Sequence, residues 1–221
     1  MKSWSDDNPK AQLMQRKRTA IVDAARTAFL DTGYAETSVH RIAAAAGVSI
    51  KTVYRHFEDK DDLFSAVMHD ACSLPGSAGP GHDGRDGTAL PDLPWHAEPP
   101  HLALPAAGTD YLRVTLTPTE LSLYRVVARD APRFPELGHR YRQFVELRIS
   151  LLVRYLDRWT PSQNWNITDS RRAAGTFVAI LGSDLFDDAL HGIRQPTDQD
   201  ITDRAHTAAD QLLTLLDNGA L

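Results

Sequence analysis

Apolar positions fall at helical spacing along most of the chain. Ile21, Ala25, Ala28 and Phe29 share one helical face, which Val22 widens. Gly33 follows the last periodic residue and predicts a helix end, while Asn8-Pro9 is a possible start. A short second helix is expected over residues 38–45, with Val39, Ile42 and Ala43 inward and Thr37 or Ser38 as its cap. Ala46-Gly47-Val48-Ser49 then breaks the pattern. Gly47 can supply a tight turn, and Ser49 can cap a third helix over residues 50–57. A fourth helix is expected to start near Lys60, with Leu63, Phe64 and Val67 inward.

Helical spacing returns further along. Thr117-Pro118-Thr119-Glu120 reads as a capping box with proline at the first helical position, opening a helix to about residue 130. Pro132 and Pro135 interrupt it. A long helix is expected over 136–159, another over 168–191 ended by Gly192, and a last one from Thr197 or Asp198 to Asn218-Gly219. No stretch alternates like a strand, so the expected class is all-α. Residues 73–109 interrupt this regularity with six Gly and seven Pro, half of the 26 such residues in the chain. They are expected to form a mobile connection without a long helix. The expected organisation is residues 1–60 as an N-terminal domain with a helix-turn-helix outline, 61–72 as a linking helix, 73–109 as the connection, and 110–221 as a second helical domain.

Composition narrows the class. No run approaches the 18 apolar residues of a membrane span, and the start carries no apolar leader core. One cysteine, Cys72, rules out an intramolecular disulfide and suits a cytoplasmic setting beside the nucleoid. Net charge is −5, yet residues 10–56 hold eight Lys and Arg against three Asp and Glu. A local basic face on an acidic body fits a small DNA-reading module.

The third helix carries that chemistry. In Ser49-Ile50-Lys51-Thr52-Val53-Tyr54-Arg55-His56-Phe57, Val53 and Phe57 turn inward. Lys51, Thr52, Tyr54, Arg55 and His56 present polar groups, with Lys51 and Arg55 four apart on one side. Ser49 and the first amides of this helix form a positive end suited to phosphate. Helix, glycine turn and helix have helix-turn-helix proportions, with the second helix as reader.

The run GYAETSVHRIAAAAGVSIKTVYRHFEDKDDLFSAV resembles the DNA-binding domain of the TetR family of transcriptional regulators. The resemblance rests on Gly33-Tyr34, Thr37, Ile42-Ala43, Ala46-Gly47-Val48-Ser49, Val53 to Phe57, Lys60 and Leu63-Phe64. It implies that Thr37, next to Ser38, touches a phosphate, and that His40 and Arg41 reach a base edge or the backbone. It further implies that Lys51, Thr52 and Arg55 face the major groove, that Tyr54 and His56 contact phosphates, and that Lys60 anchors the fourth helix to the backbone. The cluster Arg16-Lys17-Arg18 can reach a flanking phosphate or the minor groove. Residues 123–148 are similar to the C-terminal domain of AefR-like members, through Leu123-Tyr124-Arg125 and Ala131-Pro132-Arg133-Phe134-Pro135.

The last two helices suggest self-association. Ile201, Ala205, Ala208, Leu212 and Leu215 step by four and three, and Ala174, Phe177, Leu181 and Leu185 do likewise. With Gly175 and Gly182 permitting close approach, two such helices from each of two chains make a four-helix bundle; a monomer core is the competing reading. The family resemblance favours the homodimer, with recognition helices roughly 34–36 Å apart on a near-palindromic double-stranded operator. Candidate ligand-binding residues are Tyr111, Tyr124, Phe134, Tyr141, Phe144, Trp159, Trp165, Phe177 and Phe186, for an unknown small-molecule effector whose binding releases DNA. Core packing is the alternative for each. Control by a protein partner or by abundance is the alternative to an effector.

Enzyme signatures are missing: there is no H-E-x-x-H, no phosphate-binding glycine loop, no dinucleotide fingerprint and no cysteine pair. Asp184, Asp187, Asp188 and His191 share a helical face but read as a solvated helix-end cluster. No catalytic residue, metal or cofactor is expected.

Overall fold

A computed structural model describes residues 9–72 and 93–221. It contains α1 (Pro9–Glu36), α2 (Val39–Ala45), α3 (Ile50–His56), α4 (Lys60–Cys72), α5 (Pro100–Thr115), α6 (Pro118–Asp130), α7 (Pro135–Gln163), α8 (Ser170–His191) and α9 (Asp198–Asp217), with a 3-10 turn at Pro94–Ala97. Among the described residues there is no strand, and no helix is long and apolar enough to cross a membrane.

The chain divides into two compact units, and the division does not follow the expected boundaries. One unit holds the described residues up to Ala71 together with Ser122–Arg142; the other holds Gln143–Leu221 and the described residues between Cys72 and Leu121. The end of α6 and the start of α7 therefore belong with the four N-terminal helices.

In the first unit, Ile21, Val22, Ala25 and Phe29 of α1 are buried with Ile42, Val53, Leu63, Phe64 and Val67. Phe29 meets Phe64 edge-on at 5.1 Å, and Tyr34 meets both Phe64 (5.5 Å) and Phe134 (5.3 Å) in the same way. Such offset ring contacts add specificity to the burial of apolar area. Gly33 ends the regular part of α1 with φ 86° and ψ 174°, conformations open to glycine at little cost.

The second unit corrects the reading of residues 73–109. The part 73–92 lies outside the described residues, but 100–109 form most of α5. Pro100 occupies the first helical turn, where a missing N–H costs nothing, so only Pro105 removes an internal bond. The burial of Ala103, Leu104, Ala107 and Leu112 outweighs that loss. Gly108 is the position of closest approach: a Cβ there would lie 3.0 Å from Leu181, 3.1 Å from Ala205 and 3.3 Å from Phe177.

That packing also corrects the proposed dimer seam. Ala174, Phe177, Leu181, Leu185, Ile201, Ala205, Ala208 and Leu212 are all buried in the core of the single chain, and only Leu215 is half-buried. The sequence pattern identified the buried stripes; α5, unread in the sequence, is what covers them. Glu120 departs from its expected role as well. Thr117 Oγ1 accepts from the Glu120 amide at 3.2 Å, but the Glu120 side chain does not turn back to close a box. It forms a buried two-bond pair with Arg148, at 3.1 Å for each bond. Arg148 also faces Thr115 Oγ1 at 3.4 Å and the Tyr111 ring at 5.9 Å.

α8 bends at Ser183, where φ is 32° and ψ −140°. Gly192, left-handed, ends α8 as expected, and Thr197 and Asp200 form a reciprocal capping box on α9.

Candidate operator-reading surface

Ser49 Oγ accepts from the Thr52 amide at 3.1 Å and caps α3. Val53 and Phe57 anchor α3 in the core, which turns Lys51, Tyr54 and Arg55 outward, all exposed. Tyr54 is 54% exposed, so its ring is surface and not core. Thr52 is half-buried, with its hydroxyl 2.9 Å from that of Ser49. On α2, Ser38 is the N-cap, accepting from the Arg41 amide at 3.3 Å, and His40 and Arg41 are exposed. Gly47, at φ 66°, makes the turn between the two helices. On α1, Arg16 is exposed and Lys17 half-buried. Arg18 lies over the Phe57 ring at 5.2 Å, a packing role that its charge alone did not suggest.

His56 sits where these elements converge. Its Nε2 is buried with no hydrogen-bond partner. Burial, reinforced by Arg55, Arg18 and Lys17, holds its pKa below the ordinary 6.5. Cations thus concentrate beside the His56 ring at the C-terminal end of α3.

Two expected phosphate contacts fall elsewhere. Thr37 is 3% exposed, and its hydroxyl donates to Gly33 O at 2.6 Å. The side chain is committed to the interior, and the neighbouring Ser38 takes the helix-capping role. Lys60 is half-buried: its ammonium donates to Thr37 O at 2.8 Å and lies 4.1 Å from the Tyr34 ring centroid. Burial lowers its pKa against the opposing pull of Asp130 and Glu36. Lys60 thus braces the α1–α2 junction from inside.

The expected ligand-binding residues are divided between the two units. Tyr124, Phe134 and Tyr141 belong to the first unit, where Tyr124 meets Tyr141 edge-on at 5.5 Å and Phe134 packs on Tyr34. Tyr111, Phe144, Trp159, Trp165, Phe177 and Phe186 belong to the second. Phe177 is core, and Trp165 donates its Nε1–H to Asp217 at 2.8 Å. Tyr111, Phe144, Trp159 and Phe186 are half-buried. A recess of about 580 Å³ lies instead between α8 and α9, lined in part by Ile180, Ser183, Arg194 and Arg204, and by none of the nine aromatic residues. The acidic cluster near the end of α8 is engaged locally: Asp184 with Arg204, Asp188 with Arg194, and the carbonyl of Asp187 with His191.

A capped helix held by its apolar face behind a glycine turn, with cations on its free face, defines a helix-turn-helix DNA-binding protein. Residues 21–67 match the family described as bacterial regulatory proteins, tetR family, and residues 102–217 match the AefR-like transcriptional repressor, C-terminal domain. The second match spans more than half of the chain, and the chain belongs to the TetR family of transcriptional regulators. It is 45% identical over 56 residues to the HTH-type transcriptional regulator AcrR of Shigella flexneri, covering 25% of this chain and 26% of that protein. It is 41% identical over 51 residues to the HTH-type transcriptional repressor BepR of Brucella suis biovar 1, covering 23% and 24%. The matches span about a quarter of the length of these curated relatives. Among solved structures, the Flavonoid-responsive Regulator FrrA superposes with TM-score 0.70 at 24% identity, covering 90% of this chain and 96% of that one. A TetR-family regulator from Mesorhizobium loti MAFF303099 gives 0.67 at 22%, covering 91% and 97%. At these identities the superpositions establish a shared fold.

Proposed function

We propose that the protein is a repressor that binds a near-palindromic operator as a homodimer and is released by a small-molecule effector. The observation that carries the DNA-reading part is the free face of α3, where Lys51, Tyr54 and Arg55 are exposed while Val53 and Phe57 hold the helix from behind. Arginine or lysine on such a face can read guanine, while Tyr54 and the cations beside His56 suit phosphates. Dimerisation is assigned to the outer face of α8, where a Cβ at Gly175 would meet nothing within 4 Å and Ala179 is exposed. Release rests on the family's mode of action: an effector shifts the equilibrium only through its differential affinity for a conformation that fits the operator poorly.

The test selects duplexes from random-sequence DNA with the full-length protein and measures binding by gel shift. Arg55→Ala is expected to weaken the selected duplex by about 1–3 kcal/mol, roughly five- to 150-fold, and to relax the base preference at one position. Tyr54→Phe is expected to lose less. If neither variant changes binding, α3 is not the reader.

A further inference from the structure

We propose that Asp130 is a positioning residue for operator binding: a carboxylate outside the helix-turn-helix that fixes the start of α2 by holding the backbone break at Gly33. The proposal rests on the DNA-reading role of α2 and α3.

The break at Gly33 turns the following amides away from their helical acceptors. Asp130 Oδ2 accepts from the amide of Tyr34 at 2.8 Å and faces that of Ala35 at 3.3 Å. These partners stand 96 and 95 residues away in sequence, yet within one compact unit. Arg129 fixes the carboxylate from its other side, with Nε 2.9 Å from Oδ1 and Nη2 3.1 Å from Oδ2. The same guanidinium lies against Gly33 so closely that a Cβ there would sit 1.4 Å from Nη2. Asp130 is 7% exposed, so water does not readily replace it at these amides.

From the break, a short series of bonds leads to the DNA-reading helices. Thr37 Oγ1 donates to Gly33 O at 2.6 Å, and Lys60 Nζ donates to Thr37 O at 2.8 Å while covering the Tyr34 ring. The next residue, Ser38, caps α2, and the exposed His40 and Arg41 follow. Displacing the Gly33–Ala35 backbone therefore displaces the origin of α2 and, through the Gly47 turn, α3. Asp130 lies outside the helix-turn-helix and reaches its residues through the Gly33–Ala35 backbone and its electrostatic pull on Lys60. It acts by setting where they begin.

The experiment uses the full-length protein, a duplex selected by the wild type and a scrambled duplex of equal length. Asp130→Ala is expected to raise the Kd for the selected duplex about tenfold and that for the scrambled duplex less than about twofold. Asp130→Asn keeps an acceptor oxygen and is expected to lose only about threefold on the selected duplex. Helix content and oligomeric state at the assay temperature should match the wild type. Binding of both variants within about twofold of the wild type overturns the proposal. So does equal loss on both duplexes that tracks a lowered melting temperature and is not recovered by Asp130→Asn. Should Asp130→Ala fail to fold, Asp130→Asn decides alone: a selective loss supports the proposal and unchanged binding overturns it. A wild type that enriches no duplex overturns the DNA-reading assignment itself, and the proposal with it.

Discussion

Two helices of this protein are broken, α1 near its C-terminal end and α8 past its midpoint, and each break is held by a side chain from another helix. In α1 the break is at Gly33, and the freed amides of Tyr34 and Ala35 are taken by the Asp130 carboxylate. In α8 the break is at Ser183, and the Ile180 carbonyl is taken by the Arg204 guanidinium at 3.3 Å, which also pairs with Asp184 at 2.5 Å. An acceptor catches donors in one case, and a donor catches an acceptor in the other. The difference lies in the space available. At Gly33 the φ requires glycine, and the Arg129 guanidinium fills the volume a Cβ would need and would have to move aside. At Ser183 the residue is exposed, so a side chain fits and only the backbone is strained. The tight break adjoins the DNA-reading helices; the open one borders the recess between α8 and α9.

The largest expected effect follows from that contrast. Gly33→Ala places a methyl on the Arg129 guanidinium and forces φ 86° on an L-residue. A destabilisation of about 3 kcal/mol or more, read by urea unfolding, is expected, together with loss of operator affinity. Pairing it with Arg129→Ala separates the two causes. The double variant should recover the steric part and retain the backbone part, a non-additive cycle. If the cycle is additive, Arg129 does not fill that space and the contrast between the breaks fails.

The helix-turn-helix is legible in the sequence because its signals are local. Ser49, three residues before the amide it accepts, and Gly47 in the turn could be read from adjacent positions. The choice of Ser38 over Thr37 as the cap could not, because it depends on Thr37 being drawn into the end of α1. Asp130 carried no local signal, since its partners lie more than ninety residues away. Gly33-Tyr34 and Phe134-Pro135 each stand out in the sequence, but nothing in either stretch says that Tyr34 and Phe134 touch. In the second unit, the stripes of α8 and α9 suggest a dimer seam, yet all but Leu215 are buried within the single chain. A stripe reports burial, not its occupant, and the occupant was hidden in a segment whose Gly and Pro content argued against a helix. Pro100 and Gly108 have positional roles there that a count of such residues conceals.

At the open break the expected effects are smaller and of opposite sign. Arg204→Ala removes the partner of the Ile180 carbonyl, which should cost about 1 kcal/mol because water can reach a half-buried carbonyl, while loss of the exposed ion pair to Asp184 should add little. Ser183→Gly relieves the strained φ at some cost in chain entropy, and should stabilise by about 0.5 kcal/mol. Both are read as shifts in urea midpoint at constant slope. A destabilising Ser183→Gly would show that the serine side chain, and not tolerance of its strain, maintains the bend.

Acid titration is the finest comparison. Arg129, with the Ala35 amide, holds the Asp130 carboxyl below the usual 3.8, and Arg204 does the same for Asp184. A depressed folded-state value means that the unfolded chain takes up protons first. The stability each group contributes is therefore complete above about pH 5 and is lost as pH falls through 3.8 toward the folded-state value. The two should differ in their response to salt. Asp184 is exposed, so its contribution should be small and fade at about 1 M salt, where screening is complete within a few ångströms. Asp130 is nearly enclosed and bonds directly to backbone amides, so its contribution should persist. The measurement is melting temperature from about pH 5 to pH 2 for wild type, Asp130→Asn and Asp184→Asn, at low and high salt. The wild-type advantage over Asp130→Asn should shrink on acidification at both salt concentrations, and that over Asp184→Asn only at low salt. An Asp184 difference that is larger, or that survives salt, would mean the open break is held as firmly as the closed one.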